Sequence, residues 1–167
     1  MSILATLPGG ATELVLERTL NAPRELVFAA WTDPKEMARW WGPKGFTNPV
    51  CDIDVRPGGA MHIVMRGPDG SEYPCGGSFR EIAPPERLVF TTWVVKGEPG
   101  SSPLIVLNTV TFEDLGAATK LTLRAELVQT TADAAAPLSG MEQGWSQSLD
   151  RLATLVSRAS AIEGSAR

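Results

Sequence analysis

The chain has 167 residues, of which 43% are hydrophobic and 20% are charged, and its formal net charge is -4 at pH 7. This balance is typical of one packed domain; it excludes an intrinsically disordered chain, and the length is too short for two well-packed domains. The basic residues form no stripe that could neutralise a run of phosphates, so we do not expect nucleic acid as a partner.

The first ten residues lack the basic and long apolar regions of a secretory signal, and no segment is apolar over the length needed to cross a bilayer. We therefore expect a cytoplasmic protein with no membrane span. Cys51 and Cys75 could pair if neighbouring strands brought them together, but in a reducing compartment we expect free thiols.

The first periodic segment covers residues 12–21. Leu14, Leu16 and Leu20 share one face and Glu17 lies on the other, which is the pattern of a half-buried strand. We expect flexible termini over residues 1–11 and 161–167, on either side of a single domain over residues 12–160.

Two short helices are predicted next. Asn21 precedes Ala22-Pro23 as an N-cap candidate, and apolar residues then recur at helical spacing as far as Trp31. Asp33-Pro34 begins a second helix, which Gly42-Pro43 must terminate.

Between residues 48 and 131 the pattern changes to about six strands, separated by turns rich in proline and glycine. The clearest strand covers residues 119–128, where Leu121 and Leu123 alternate with Thr122 and Arg124. One face of the sheet is therefore predicted to be buried and the other exposed.

A long amphipathic helix is predicted over residues 139–157, with Ser139 as its N-cap. Its apolar residues follow three- and four-residue spacing, and about twenty residues would span roughly 30 Å. Because the apolar faces of this helix and of the sheet must cover each other, we expect an α+β fold in which a curved antiparallel sheet of six or seven strands wraps around the helix.

The order of several short motifs resembles the START-like or SRPBCC superfamily, in the branch homologous to the activator of the heat-shock chaperone ATPase. The resemblance covers residues 14–156. It rests on these residues in chain order: Ala22-Pro23, Val27-Phe28, Trp31-Thr32-Asp33-Pro34, Trp40-Trp41-Gly42-Pro43, Asp54, Arg56, Gly58-Gly59, Gly70, Gly77, Phe79, Glu81-Ile82, Pro84-Pro85-Glu86-Arg87-Leu88, Gly144-Trp145, Leu149 and Leu152.

The resemblance implies a helix-grip fold, in which members often hold a lipophilic ligand between the sheet and the last helix. It also implies that the loop after the second short helix forms the rim of the cavity. It does not fix the function, because this fold hosts carriers, cyclases, hydrolases and regulators.

The sequence lacks the residue patterns that most kinds of catalysis require. One histidine, His62, and two separated cysteines give no metal-ligand spacing, so we expect no metal and no catalytic zinc. The segment from Gly144 to Ser148 resembles a nucleophile elbow but lacks the final glycine and falls within a predicted helix. No phosphate-binding loop is present, and we expect no cofactor.

Large apolar, aromatic and sulfur-containing side chains remain as candidates for lining a ligand cavity, although the same side chains build ordinary cores. The predicted ligand-binding residues are Trp40, Trp41, Met61, Met65, Phe79, Glu81, Trp93, Met141, Trp145 and Leu149. Trp145 and Met141 are preferred because they lie on the helix face that must look at the sheet.

Four polar residues on strand positions could face inward: His62, Asp54, Arg66 and Glu81. His62 alternates with the methionines and so favours the surface, whereas Glu81 shares parity with Phe79 and so favours the interior. Asp54 and Arg56 are also explained by a structural salt bridge.

Three functions remain open. The first is binding of a small lipophilic molecule, and the second is a cyclase- or hydrolase-type enzyme acting on an aromatic or polyketide-like substrate. A chaperone ATPase regulator ranks last, because only about eleven residues precede the first predicted strand whereas the eukaryotic founders of the branch carry an additional N-terminal domain. A homodimer is neither required nor excluded.

Overall fold

The computed structural model describes residues 2–6, 12–94, 104–129 and 135–165, with side chains described over 13–92, 105–126 and 144–160. Its centre is an eight-stranded antiparallel sheet with the order β1-β2-β8-β7-β6-β5-β4-β3. The strands are β1 (Ser2–Thr6), β2 (Thr12–Leu20), β3 (Thr47–Ile53), β4 (Ala60–Arg66), β5 (Glu72–Ala83), β6 (Arg87–Val94), β7 (Leu104–Asp114) and β8 (Thr119–Gln129). The strands from β3 to β8 follow one another as a meander, β2 lies beside β8, and β1 forms the edge beside β2.

The two faces of the sheet differ as the sequence predicts. On β8, Leu121, Leu123 and Ala125 are fully buried, whereas Arg124 is exposed. The buried side chains define the inner face of the curved sheet, and a long C-terminal helix, α3 (Ala135–Ser165), packs against this face. The predicted helix-grip fold is confirmed.

Two short helices, α1 (Arg24–Thr32) and α2 (Pro34–Trp40), connect β2 to β3. Asp33 caps α2 by accepting a hydrogen bond from the backbone N–H of Lys35 at 2.9 Å, and α2 ends before Gly42, whose φ is +95°. The predicted cap of α1 is wrong. Pro23 occupies the N-cap position and no side chain caps this helix.

Helix α3 is longer than its prediction of residues 139–157, because it has 31 residues and extends beyond both predicted ends. Ser139 therefore lies inside the helix rather than at its N-cap. Leu149, Leu152 and Val156 are buried at the spacing that the sequence predicts, and they join the core cluster formed by the strands. The amphipathic stripe located this helix, but it did not determine where the helix begins.

One strand was not predicted. Residues 2–6, assigned from the sequence to a flexible terminus, form β1 and pair antiparallel with β2, with Ile3 opposite Val15 and Leu4 opposite Leu14. Residues 2–6 read Ser-Ile-Leu-Ala-Thr, in which apolar and polar residues do not alternate, so the sequence gives little signal for this strand. The free edge of β2 supplies the hydrogen-bonding partner.

Cys51 and Cys75 are both free thiols. They lie on β3 and β5, and Ile63 of the intervening β4 is the register partner of both residues. Two strand spacings of about 4.8 Å separate the cysteine backbones by roughly 10 Å, which exceeds the reach of a disulfide.

Candidate functional site

Aromatic side chains from the sheet and from all three helices meet on the inner face of the sheet. We call this group the aromatic cluster; it comprises Phe28, Trp31, Trp40, Trp41, Phe79, Phe90, Phe112 and Trp145. Trp31 lies at its centre, with ring centroids 4.6 Å from Trp40, 6.0 Å from Phe90 and 5.9 Å from Trp145. Offset and edge-to-face contacts at these distances stabilise the packing beyond the effect of buried area alone.

Trp145 is the contribution of α3 to this cluster. Its ring stacks on Trp31 with an interplanar angle of 21° and meets Trp41 edge-on, with centroids 5.3 Å apart. Trp31 and Trp40 are completely buried, whereas Trp145 is only partly buried. Trp145 therefore lies where the aromatic cluster is accessible from outside.

The indole N–H groups of the cluster are used differently. Trp40 donates to the backbone oxygen of Ala30 at 2.9 Å. The Nε1 atom of Trp31 is buried and has no hydrogen-bond partner among the described residues. An unpaired buried donor is unfavourable by about 1–3 kcal/mol, so this group would gain from a polar partner.

Burial dominates the chemistry of the nearby thiols. It raises the pKa of Cys75 to about 11, although the nearby Trp41 indole acts in the opposite direction. Burial, with a smaller effect from Asp52, also raises the pKa of Cys51 to about 11. Both groups are therefore neutral thiols near pH 7 and poor nucleophiles.

A buried amide lies on the inner face beside the aromatic cluster. Asn108 of β7 is completely buried and is the register partner of Phe90 on β6. Its Nδ2 atom donates to the hydroxyl of Thr92 at 3.0 Å and to the backbone oxygen of Phe90 at 3.3 Å, with a longer contact of 3.5 Å to the oxygen of Val106. Its Oδ1 atom has no partner within the described part of the chain.

Arg151 of α3 fixes the loop that follows α2. Its Nη1 atom donates to the backbone oxygens of Trp41, Gly42 and Pro43 at 2.9–3.1 Å, and its Nη2 atom donates to the oxygen of Arg39 at 3.1 Å. These carbonyl groups lie at and after the C-terminus of α2, where a helix leaves acceptors unpaired and favours positive charge. Burial lowers the pKa of Arg151.

Ser148 makes a second link between α3 and the same loop. Its hydroxyl accepts a hydrogen bond from the N–H of Gly42 at 3.0 Å and donates to the oxygen of Gly144 one turn earlier. Gln147 accepts from the N–H of Lys44. These contacts hold the loop bearing Trp41 against α3, so the position of Trp41 relative to Trp145 is set by side chains of α3.

Most of the predicted ligand-binding residues lie on the inner side of the sheet. Trp40, Phe79 and Leu149 are almost completely buried, as are Trp41 and Met61, whereas Met65 and Trp145 are partly exposed. The side chains of Trp93 and Met141 lie outside the described residues. The structure thus groups Trp40, Trp41, Phe79 and Trp145 in the aromatic cluster and includes Met61, Met65 and Leu149 in the surrounding core.

The predicted inward orientation of Glu81 is wrong. A β-bulge shifts the register between Phe79 and Glu81, so the two residues no longer share a face. Phe79 is buried, but Glu81 is exposed and forms a 3.3 Å ion pair with Arg87. Strand parity in the sequence does not reveal a bulge, so it predicted the wrong orientation for Glu81.

The surface position predicted for His62 is confirmed, because Met61 and Ile63 are buried on either side of an exposed His62. The predicted salt bridge between Asp54 and Arg56 is also present, at 2.7 Å.

An open groove of about 360 Å³ lies beside these strands, lined by Pro34, Asp52, Ile53, Asp54, Ala60 and His62. Within the described ranges, histidine, cysteine and acidic side chains form no group of three or more that could hold a metal ion.

Two inner-face residues were missing from the predicted site. Trp31 is not among the predicted ligand-binding residues, because helical spacing does not reveal that it lies at the centre of the aromatic cluster. Asn108 shares strand parity with Val106, Val110 and Phe112, so a polar residue on an otherwise apolar face was the signal that could have identified it.

Comparison with solved structures gives the class of the protein. A protein from Nitrosomonas europaea is 27% identical with a TM-score of 0.76, over 89% of this chain and 96% of that chain. A protein from Chromobacterium violaceum is 29% identical with a TM-score of 0.70, over 87% and 97%. The AHSA1 protein from Silicibacter pomeroyi is 26% identical with a TM-score of 0.73, over 88% and 99%. No curated protein matches the chain.

The helix-grip architecture and these neighbours place the protein in the START-like or SRPBCC superfamily. A family model described as "Activator of Hsp90 ATPase homolog 1-like protein" matches residues 21–157. The chain therefore belongs to the Activator of Hsp90 ATPase homolog 1-like family. None of the described helices is long and apolar enough to cross a membrane.

Proposed function

We propose that the protein binds a small lipophilic molecule between the inner face of the sheet and α3. The observation that carries the proposal is the position of Trp145, which contacts two buried tryptophans of the aromatic cluster and is itself partly exposed. Apolar and aromatic side chains with a few polar groups are the usual lining of a small-molecule site. The contacts of Arg151 and Ser148 support the proposal because they keep the rim of this region ordered.

The enzyme hypothesis has less support. Acid–base catalysis would need an ionisable group at the inner face, and the candidates for this role were His62, Asp54, Arg66 and Glu81. All four side chains are exposed, and Glu81 is paired with Arg87. Binding without turnover is therefore the function that the described residues favour.

The proposal can be tested with N-phenyl-1-naphthylamine, a neutral apolar probe that accepts excitation energy from tryptophan. A probe bound beside Trp145 should quench tryptophan emission and gain its own, with saturation at micromolar concentration. Trp145→Phe keeps an aromatic ring and should weaken binding about tenfold, equivalent to about 1.4 kcal/mol. Leu115→Ala is a matched control, because Leu115 is 48% exposed and lies in the β7–β8 turn, outside the buried core.

Trp145→Ala should weaken binding further and reduce the free energy of unfolding by about 2–3 kcal/mol, less than for a fully buried tryptophan because the ring is partly exposed. Wild-type protein that shows no saturable response to micromolar probe would refute the proposal and favour a protein partner instead. Equal affinity of wild type and both Trp145 variants would show that the probe binds elsewhere.

A further inference from the structure

The buried polar side chains in the described part of the chain are few, and their hydrogen bonds can be followed one by one. Glu13 pairs with Arg124, Thr119 donates to the oxygen of Ala22, and Ser148 is bonded to α3 and to the loop after α2. Asn108 differs, because its amide nitrogen is satisfied while its carbonyl oxygen is not. Asn48 also has an unpaired oxygen, but its side chain ties α2 to its following loop.

The orientation of the Asn108 amide is determined by its neighbours. The group that points at the oxygens of Phe90, Val106 and Thr92 must be a donor, because a carbonyl oxygen there would face backbone carbonyl oxygens. The Oδ1 acceptor is therefore the unpaired end. It lies on the inner face, since Val106 and Val110 on either side of Asn108 are both in the core cluster.

A second unpaired group, the indole N–H of Trp31, lies near the ring of Phe90. Trp31 is 6.0 Å from Phe90 between ring centroids, and Phe90 is the register partner of Asn108. The region around Phe90 therefore combines an unused acceptor, Asn108 Oδ1, with an unused donor, Trp31 Nε1. The hydroxyl of Thr92 accepts from Asn108, so its own proton is free to be donated.

Two arginines near this side of the sheet, Arg18 and Arg151, already have partners. Arg18 shares strand parity with Leu16 and Leu20, but its guanidinium is bonded to Ser146 at 2.8 Å and lies 3.5 Å from Asp150. Arg151 is occupied by backbone oxygens of the loop. A carboxylate beside Asn108 would thus be buried opposite a carbonyl oxygen, with neither Arg18 nor Arg151 free to pair with it, which is strongly unfavourable.

We infer that the ligand is an uncharged lipophilic molecule carrying a hydrogen-bond donor, most simply a hydroxyl group, and that Asn108 Oδ1 accepts this hydrogen bond. This inference rests on the proposed function and adds to it the polarity of the ligand and the residue that recognises it. A hydroxyl group matches the site because it can donate to Asn108 and accept from a donor such as Trp31. Leaving Asn108 unpaired would disfavour a ligand that lacks a donor.

The test compares ligands with the same ten-carbon chain: 1-decanol, decyl methyl ether and decanoate. Each is titrated against bound N-phenyl-1-naphthylamine at pH 7.5, where decanoate is ionised. We expect 1-decanol to compete at least tenfold more strongly than either of the others. The methyl ether is the more apolar molecule, so a purely hydrophobic site would favour the ether over the alcohol.

Asn108→Leu replaces the amide with an apolar side chain of similar size and should reduce the preference for alcohol over ether to threefold or less, with ether affinity maintained. Circular dichroism checks that the variant folds. If the variant does not fold, the relative affinities of the three ligands for the wild-type protein still test the inference. If the probe binds but the ether competes as strongly as the alcohol or more strongly, the inference is overturned and the proposed function stays intact. Absence of probe binding would refute the proposed function itself.

Discussion

Replacing Arg151 tests whether α3 holds the rim of the site in place. Its guanidinium donates to four backbone oxygens at and after the end of α2, all within 3.1 Å. Arg151→Met keeps an unbranched apolar stem and removes every hydrogen-bond donor. Hydrogen bonds from charged groups each contribute about 1.5–3 kcal/mol in favourable cases, but bonds that share one side chain are not additive. We therefore expect a loss of about 2–4 kcal/mol.

Urea unfolding monitored by tryptophan fluorescence and far-UV circular dichroism measures this loss. Since about 1 kcal/mol corresponds to about 2–4 °C for a protein of this size, a midscale loss should lower Tm by roughly 6–12 °C. Arg151→Lys keeps the charge but not the planar set of donors, and should lose about half as much. Arg158→Met is the control, because Arg158 is an exposed residue of the same helix. A loss below 1 kcal/mol, or one equal to that of the control, would refute the reasoning.

Three further outcomes are expected. Gly77→Ala should destabilise the protein by several kcal/mol because its Cβ would overlap the backbone oxygen of Thr91, whereas Gly144→Ala, which has open space in α3, should stabilise it by about 0.5–1 kcal/mol. Similar Tm values for the two variants would contradict this. Ionisation of the Cys75 thiol should lower the free energy of unfolding by about 2 kcal/mol between pH 9 and 11, because its pKa is raised from 9.0 to about 11 in the folded protein and the unfolded chain therefore ionises at lower pH; Cys51, whose pKa is also raised to about 11, should add a further loss. Cys75→Ala should remove this part of the pH dependence, and an unchanged slope would disprove its assignment to Cys75. Native protein should also react with iodoacetamide at pH 8 far more slowly than unfolded protein, and equal rates would show that the thiols are not protected.

The fold was predictable because its main signals are local. Alternation over residues 119–128 predicted a strand with one buried face, and the three- and four-residue spacing of Leu149, Leu152 and Val156 predicted the buried stripe of α3. Helix boundaries were less predictable. Ser139 is a good N-cap residue in isolation, but the helix begins four residues earlier, at Ala135.

The site was predictable only in part, because it depends on long-range geometry. Helix periodicity predicted that Trp145 faces the sheet, and the family resemblance selected Trp40 and Trp41 as residues near the cavity rim; all three lie in the aromatic cluster. The orientation of Glu81 depends on a bulge, and the importance of Trp31 and Asn108 depends on which hydrogen-bonding groups remain unpaired after folding. No local pattern reports either property.

The most direct test of lipophilic binding between the sheet and α3 is the ¹⁵N–¹H spectrum of the indole groups during titration with N-phenyl-1-naphthylamine. The chain has five tryptophans, so the indole signals are few and can be assigned by single Trp→Phe variants. We predict saturable shifts for Trp31 and Trp145, with a smaller shift for Trp40, whose N–H is already bonded to Ala30. Unchanged indole signals at saturating probe would contradict the account, as would backbone amide shifts confined to the exposed residues around His62.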